Sequence, residues 1–154
     1  MRLVLVRVLL LAAFGVFVAG ALATAPSFVR GGVYRGTSRY GSVRIQVAAN
    51  GKTAGVDMGM AARCSGTSHY TFPFVANFHR NPARIHGPSM SVTEVDHNLP
   101  SDHQIPAARV VHQAFAAHAT GSGRTLAGTY KLTEMLTDGR SCATGRVRFT
   151  AGIR

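Results

Sequence analysis

Polar and apolar residues alternate along most of the chain after residue 40. In the run 41–52, GSVRIQVAANGK, Val43, Ile45 and Val47 share one face, Arg44 and Gln46 take the other, and Asn50-Gly51 follows. Alternation that ends in Asn-Gly predicts a β-hairpin, because both central positions of the tight turn require positive φ. The return run, TAGVDMGMAARC at 53–64, puts Ala54, Val56, Met58, Met60, Ala62 and Cys64 on one side and Asp57 and Arg63 on the other. Period two sends Cys64 into the core. In HYTFPFVANFH, Tyr70, Phe72, Phe74 and Phe78 share a parity that suits a core rather than a ligand cage, and Pro73 restricts the strand to an edge or a bulge.

The segment 81–106 has the least regular pattern, with GPSM, DHNLP and SDHQIP. It predicts one short strand around Met90–Val95 within long loops, the place where a specialised function is expected. ARVVHQAFAAHAT is alanine-rich enough for a helix. Read with period two, however, it places Val111, Gln113, Phe115 and Ala117 on one face, and the Gly121-Ser122-Gly123 punctuation after it favours a strand. RTLAGTYKLTEML aligns Leu126, Gly128, Tyr130 and Leu132, Asp138-Gly139 marks a turn, and GRVRFTA supplies a last strand through Val147, Phe149 and Ala151. The fold class expected is all-β: an antiparallel β-sandwich or a small closed β-barrel. GVYRGT at 32–37 and GTYKLT at 128–133 are similar, as two equivalent strands would be, or as a first and a late strand that close a barrel together.

The N-terminus reads differently. A basic start with Arg2 and Arg7, an apolar run from Val8 to Ala19, and the small-residue triplet Ala21-Leu22-Ala23 have the form of a secretory signal peptide, residues 1–23. An uncleaved anchor is the alternative, since Val8 through Ala25 just reaches the roughly 18 apolar residues that a membrane-spanning helix requires. Residues 24–31 form a short N-terminal segment in this scheme, and 32–154 a single β domain with no transmembrane span. Secretion gives the charge its context. The formal net charge is +11, carried almost wholly by arginine, with Lys52 and Lys131 the lysines. It favours anionic partners such as an envelope polymer. The arginines are scattered and form no run, which argues against a nucleic-acid domain.

Several of these residues also carry a resemblance. Gly32, Tyr34, Gly36 and Thr37 make a Gly-x-Tyr-x-Gly-x-Thr start. Cys142, Thr144, Gly145, Val147, Phe149 and Ala151 make a Cys-x-Thr-Gly-x-Val-x-aromatic-x-Ala ending. With Cys64 and the Gly128–Tyr130 strand, they resemble uncharacterised small secreted proteins of high-GC bacteria, where Trp usually stands in place of Phe149. The resemblance implies a compact β domain with two partnered cysteines and carries no activity across. The residues point the same way. Two cysteines in a secreted chain, one on an inward strand face, predict a Cys64–Cys142 disulfide, whereas Cys-x-x-Cys redox chemistry and a cysteine-rich zinc site lack their patterns.

Candidate chemistry is sparse. Seven histidines are present, and Asp96-His97 with Asp102-His103 place carboxylate and imidazole donors of the kind zinc, copper or nickel accept in one segment, though without a specific spacing. His112 and His118 share a strand face. No nucleophile elbow, phosphate loop or dinucleotide fingerprint occurs. Glu94, Asp96, Asp102, Glu134 and Asp138 offer carboxylates for glycosidase-type chemistry. The leading expectation is a secreted or envelope-associated, non-enzymatic β domain without a cofactor. It would contact an anionic partner through Arg44, Arg146 and Arg148, or hold a small ligand. The alternatives are a small metal-dependent hydrolase using the Asp/His loop and a ligand-carrying barrel with an internal cavity.

Overall fold

The computed structural model describes residues 26–66, 71–101 and 107–153. The predicted signal peptide therefore lies outside the described residues, as do Tyr70, Asp102 and His103 and the side chain of Phe72. Among the described residues no helix is long and apolar enough to cross a membrane.

The chain forms ten antiparallel strands in one sheet: β1 (Val33–Ser38), β2 (Gly41–Val47), β3 (Thr53–Cys64), β4 (Thr71–Asn77), β5 (Ala83–His86), β6 (Ser89–Leu99), β7 (Ala108–Thr120), β8 (Thr125–Leu136), β9 (Ser141–Ala143) and β10 (Val147–Ile153). Hydrogen bonding runs β10-β1-β2-β3-β5-β6-β7-β8, and β8 pairs back to β10, which closes a ring. The ring is not a regular barrel. The short β9 sits between β8 and β3 beyond the ends of β10 and β2, pairing Arg63 with Ala143 and Thr133 with Ala143. Among the described residues β3 is the one strand that β4 pairs with, while β6 pairs with β5 only from Ser89 to Ser91. Among the described strands a gap therefore separates β4 from the second half of β6.

Alternation governs the interior as predicted. Val43, Ile45 and Val47 of β2, the even positions Ala54 to Cys64 of β3, and Leu126, Tyr130 and Leu132 of β8 are all buried. The centre is aromatic. Phe115 stacks on Phe149 at 5.5 Å between ring centroids, and Phe78 contacts both Phe115 and Tyr130. The N-terminal segment closes one end of the ring: Phe28 is buried edge-on against Tyr34, and the Tyr34 hydroxyl accepts from the Val29 N–H at 2.9 Å and donates to the Gly123 carbonyl at 2.6 Å. At Gly36 a side chain would run into the backbone of Thr150 and Ala151, so glycine is needed for β1 to lie against β10. The two similar segments, β1 and the β8 stretch, flank β10 on opposite edges, and Tyr34 and Tyr130 are both fully buried.

Cys64 and Cys142 form the disulfide and close a loop with a sequence separation of 78. They face one another across the β3–β9 pairing, where the staple ties the two strands.

The long-loop expectation for 81–106 requires correction. That region holds β5 and the eleven-residue β6, which pairs with β7 along nearly its whole length. The hydrophobic signal stops early because the inward positions after Met90 and Val92 are Glu94 and Asp96. Strand geometry continues past the point where apolar burial ends.

Candidate functional site

β6, β7 and β8 lie side by side, and their register sorts inward side chains into rows. Nearest the aromatic core is Val92, Phe115 and Tyr130; next come Glu94, Gln113 and Leu132; the outermost is Asp96, Val111 and Glu134, continued by Cys142 and Cys64. Within two steps the interior changes from hydrocarbon to carboxylate. Two outward positions change in the opposite sense: Val95 and Met135 are exposed, Met135 by 45%. The usual polarity of a sheet, apolar inside and polar outside, is broken locally at Glu94-Val95-Asp96 and at Glu134-Met135.

The rows open into a pocket of about 180 Å³ at the gap between β4 and β6. β4 contributes Phe74, Val75 and Asn77, β6 Leu99, β7 Val111 and Gln113, and β8 Leu132 and Glu134. Most of the lining is apolar. Gln113 is held in place by the Tyr130 hydroxyl, which donates to its Oε1 at 2.9 Å.

Glu134 is the unusual member. The residue is only 6% exposed, and its Oε1 has no hydrogen-bond partner. Burial pushes its carboxyl above the ordinary carboxylate range, with no opposing pull from a cation among the described residues. Glu94 is also raised, first by burial and then by the charge of Asp96. The Tyr130 hydroxyl is held far above its usual value by burial, then by Glu134 and Glu94. A buried acceptor without a donor costs about 1–3 kcal/mol, more when charged, so it calls for an explanation.

A second, larger concavity of about 620 Å³ lies where β3, β9, β8 and β7 run side by side, lined by Arg63, His112, Thr133, Met135 and Ser141 among others. It is a broad open groove that Glu134 also borders; the smaller pocket is where Glu134 and Gln113 come together.

The sequence-predicted residues fall as follows. Arg44 is on the outer face of β2, with its guanidinium 3.9 Å from Asp57 and hydrogen-bonded to Gln46. Asp57 is also held by His79 at 3.0 Å and Asn77 at 2.9 Å, a surface cluster that sequence spacing does not announce. Arg148 is on β10 and Arg146 just before it. Arg44 is opposite Arg35, itself opposite Gly152, so Arg148 is roughly 13 Å further along the strands and two strand spacings, about 10 Å, across. The three arginines do not form one cluster. Asp96 and His97 are neighbours on β6 and point to opposite faces. Among the described residues no group of three or more His, Cys, Asp or Glu is placed to hold a metal ion. His112 and His118 share the outer face of β7.

Glu134 and Gln113 are the residues whose role sequence reasoning missed. Gln113 was visible on the inward face with Val111 and Phe115, and extending the β8 alternation by one step beyond Leu132 reaches Glu134. Comparison with protein-family models, with curated proteins and with solved structures returned no match to this chain, so the fold and the pocket are the ground on which function is argued.

Proposed function

We propose that this protein is a secreted, non-enzymatic β domain that holds a small ligand in the pocket between β4 and β6. The observation that carries the proposal is Glu134, a buried carboxylate whose Oε1 has no partner, standing in a mostly apolar recess with the amides of Gln113 and Asn77. Apolar walls with a few convergent polar groups are what small-ligand sites have in common. The disulfide fits an oxidising compartment and ties β9 to β3 at this end of the ring.

Titration with benzyl alcohol, followed in amide NMR spectra, tests the pocket. Shifts should concentrate at Phe74, Leu99, Val111 and Leu132, and Val111→Phe, which fills the recess, should abolish them. Shifts scattered over the surface, or unaltered by Val111→Phe, would remove the proposal.

A second reading has its own observation. Arg148 pairs with Thr129, two positions from Lys131 on the same outer face, and Arg146 precedes it, so one sheet face gathers positive charge. This suits an anionic envelope polymer bound outside. Such binding would weaken steeply with salt, and salt-independent binding would count against it.

A further inference from the structure

Resting on the pocket proposed above, we infer that its ligand is a small organic cation, an ammonium group set against Glu134 with a ring-sized apolar body between Phe74, Val111 and Leu132. Charge distribution comes first. The chain has six acidic residues against seventeen basic ones, yet Glu94, Asp96 and Glu134 all occupy inward positions in two adjacent rows at one end. The arginines of β1, β2 and β10 stand on outward positions of their strands. A basic protein with acids concentrated inside presents a local field opposite to its overall charge. Salt screens the distant arginines over about 8 Å at physiological ionic strength, whereas the buried carboxylate is screened much less.

The state of Glu134 comes second. Its carboxyl is perturbed by burial alone, so among the described residues no lysine or arginine compensates it. Oε1 lacks a donor. An ammonium group supplies both the missing positive charge and the missing donor, and a charge-assisted hydrogen bond is among the stronger polar contacts. A carboxylate or phosphate ligand would instead meet the like charge of Glu134, with Glu94 and Asp96 in the same rows. A metal ion lacks its ligand set among the described residues.

Shape completes the assignment. The recess holds about 180 Å³, and an engineered protein cavity of about 150 Å³ takes up benzene. One ring with a one-carbon ammonium arm is the scale that fits.

Three probes of one shape separate the possibilities at pH 7: benzylamine, benzyl alcohol and benzoate, each titrated into the full mature protein and into Glu134→Gln and Val111→Phe variants, read by amide NMR. The expected order is benzylamine tightest, benzyl alcohol weaker, benzoate without effect at the pocket. Glu134→Gln should weaken benzylamine by about tenfold or more, as loss of a charged hydrogen bond of about 1.5–3 kcal/mol requires, and leave benzyl alcohol within about threefold. Retained benzyl alcohol binding shows in the same sample that the variant has folded. Equal affinity for the amine and the alcohol, tighter benzoate, or benzylamine binding indifferent to Glu134→Gln would overturn the cation assignment while leaving the pocket standing. Absence of pocket shifts with all three probes would overturn both.

Discussion

The two ends of the ring are built from the same strands and finish differently. At the end where β8 begins, the N-terminal segment folds over the opening, Phe28 joins the core, and the Tyr34 hydroxyl satisfies one backbone donor and one acceptor. At the end where β8 finishes, the interior rows turn to Glu94, Asp96 and Glu134, and a carboxylate oxygen is left without a partner. Burial of a polar group is tolerable only with compensation, and the first end provides it within the chain. On the function proposed above, the second end leaves that compensation to a bound ligand. On that proposal, the difference between satisfied and unsatisfied burial within one sheet separates a structural end from a receptive one.

That contrast can be broken or sharpened by measurement. The largest effect belongs to the staple at the receptive end. A Cys64→Ala/Cys142→Ala variant should lose roughly 4–5 kcal/mol by the chain-entropy model for this loop, comparable to the whole net stability of a small domain. Urea unfolding checks it, and an unchanged midpoint would mean the receptive end needs no external restraint. Next is Phe115→Ala in the shared centre, expected to cost about 3–5 kcal/mol by the same assay. A loss well below this would show that the aromatic stack is not what joins the two ends.

Smaller and more discriminating is Tyr34→Phe at the closed end. Removing the hydroxyl strands the Val29 N–H and the Gly123 carbonyl, for a cost of about 1–3 kcal/mol, with faster amide exchange at Val29. Protection equal to wild type there would mean that the segment is held by Phe28 alone.

Glu134→Gln should act with the opposite sign. Between the ordinary carboxylate value and its raised native value, Glu134 binds more protons folded than unfolded, so stability falls as pH rises through that window and is level above it. The variant should lose this part of the decline and be the more stable protein at neutral pH. The difference between the two stability curves from pH 4 to 8 is the readout, and parallel curves would mean the carboxylate is satisfied after all.

Most of the fold was legible because β2 and β3 carry unbroken inward hydrophobic sets, β7 and β8 sets interrupted only at Gln113, Gly128 and Glu134, and the Asn50-Gly51 and Asp138-Gly139 turns punctuate them. Cys64 could be placed inward for the same reason. The site was not legible because binary patterning points the wrong way there. In Glu134-Met135-Leu136 a reader sends Met135 inside, whereas Met135 is exposed and Glu134 buried. Val95, exposed between Glu94 and Asp96, misleads in the same way and shortens the predicted β6. Sequence alternation reports which face avoids water, and that report fails where carboxylates take inward positions. The gap between β4 and β6 depends on which edges fail to pair, and pairing partners distant in sequence leave no local trace.

Pro73 has a consequence beyond the shape of the mouth. The Phe78 N–H donates to the Val56 carbonyl, and stepping back along the β4 register puts the Pro73 nitrogen on the edge facing away from β3. A donor is missing where a neighbouring strand would seek one. Val75, two residues on, is 65% exposed on this same strand, and an apolar edge of that kind invites pairing with another molecule. Proline at this position makes β4 a poor template for a foreign strand, so the chain can keep an open seam at its receptive end with less risk of polymerising through it.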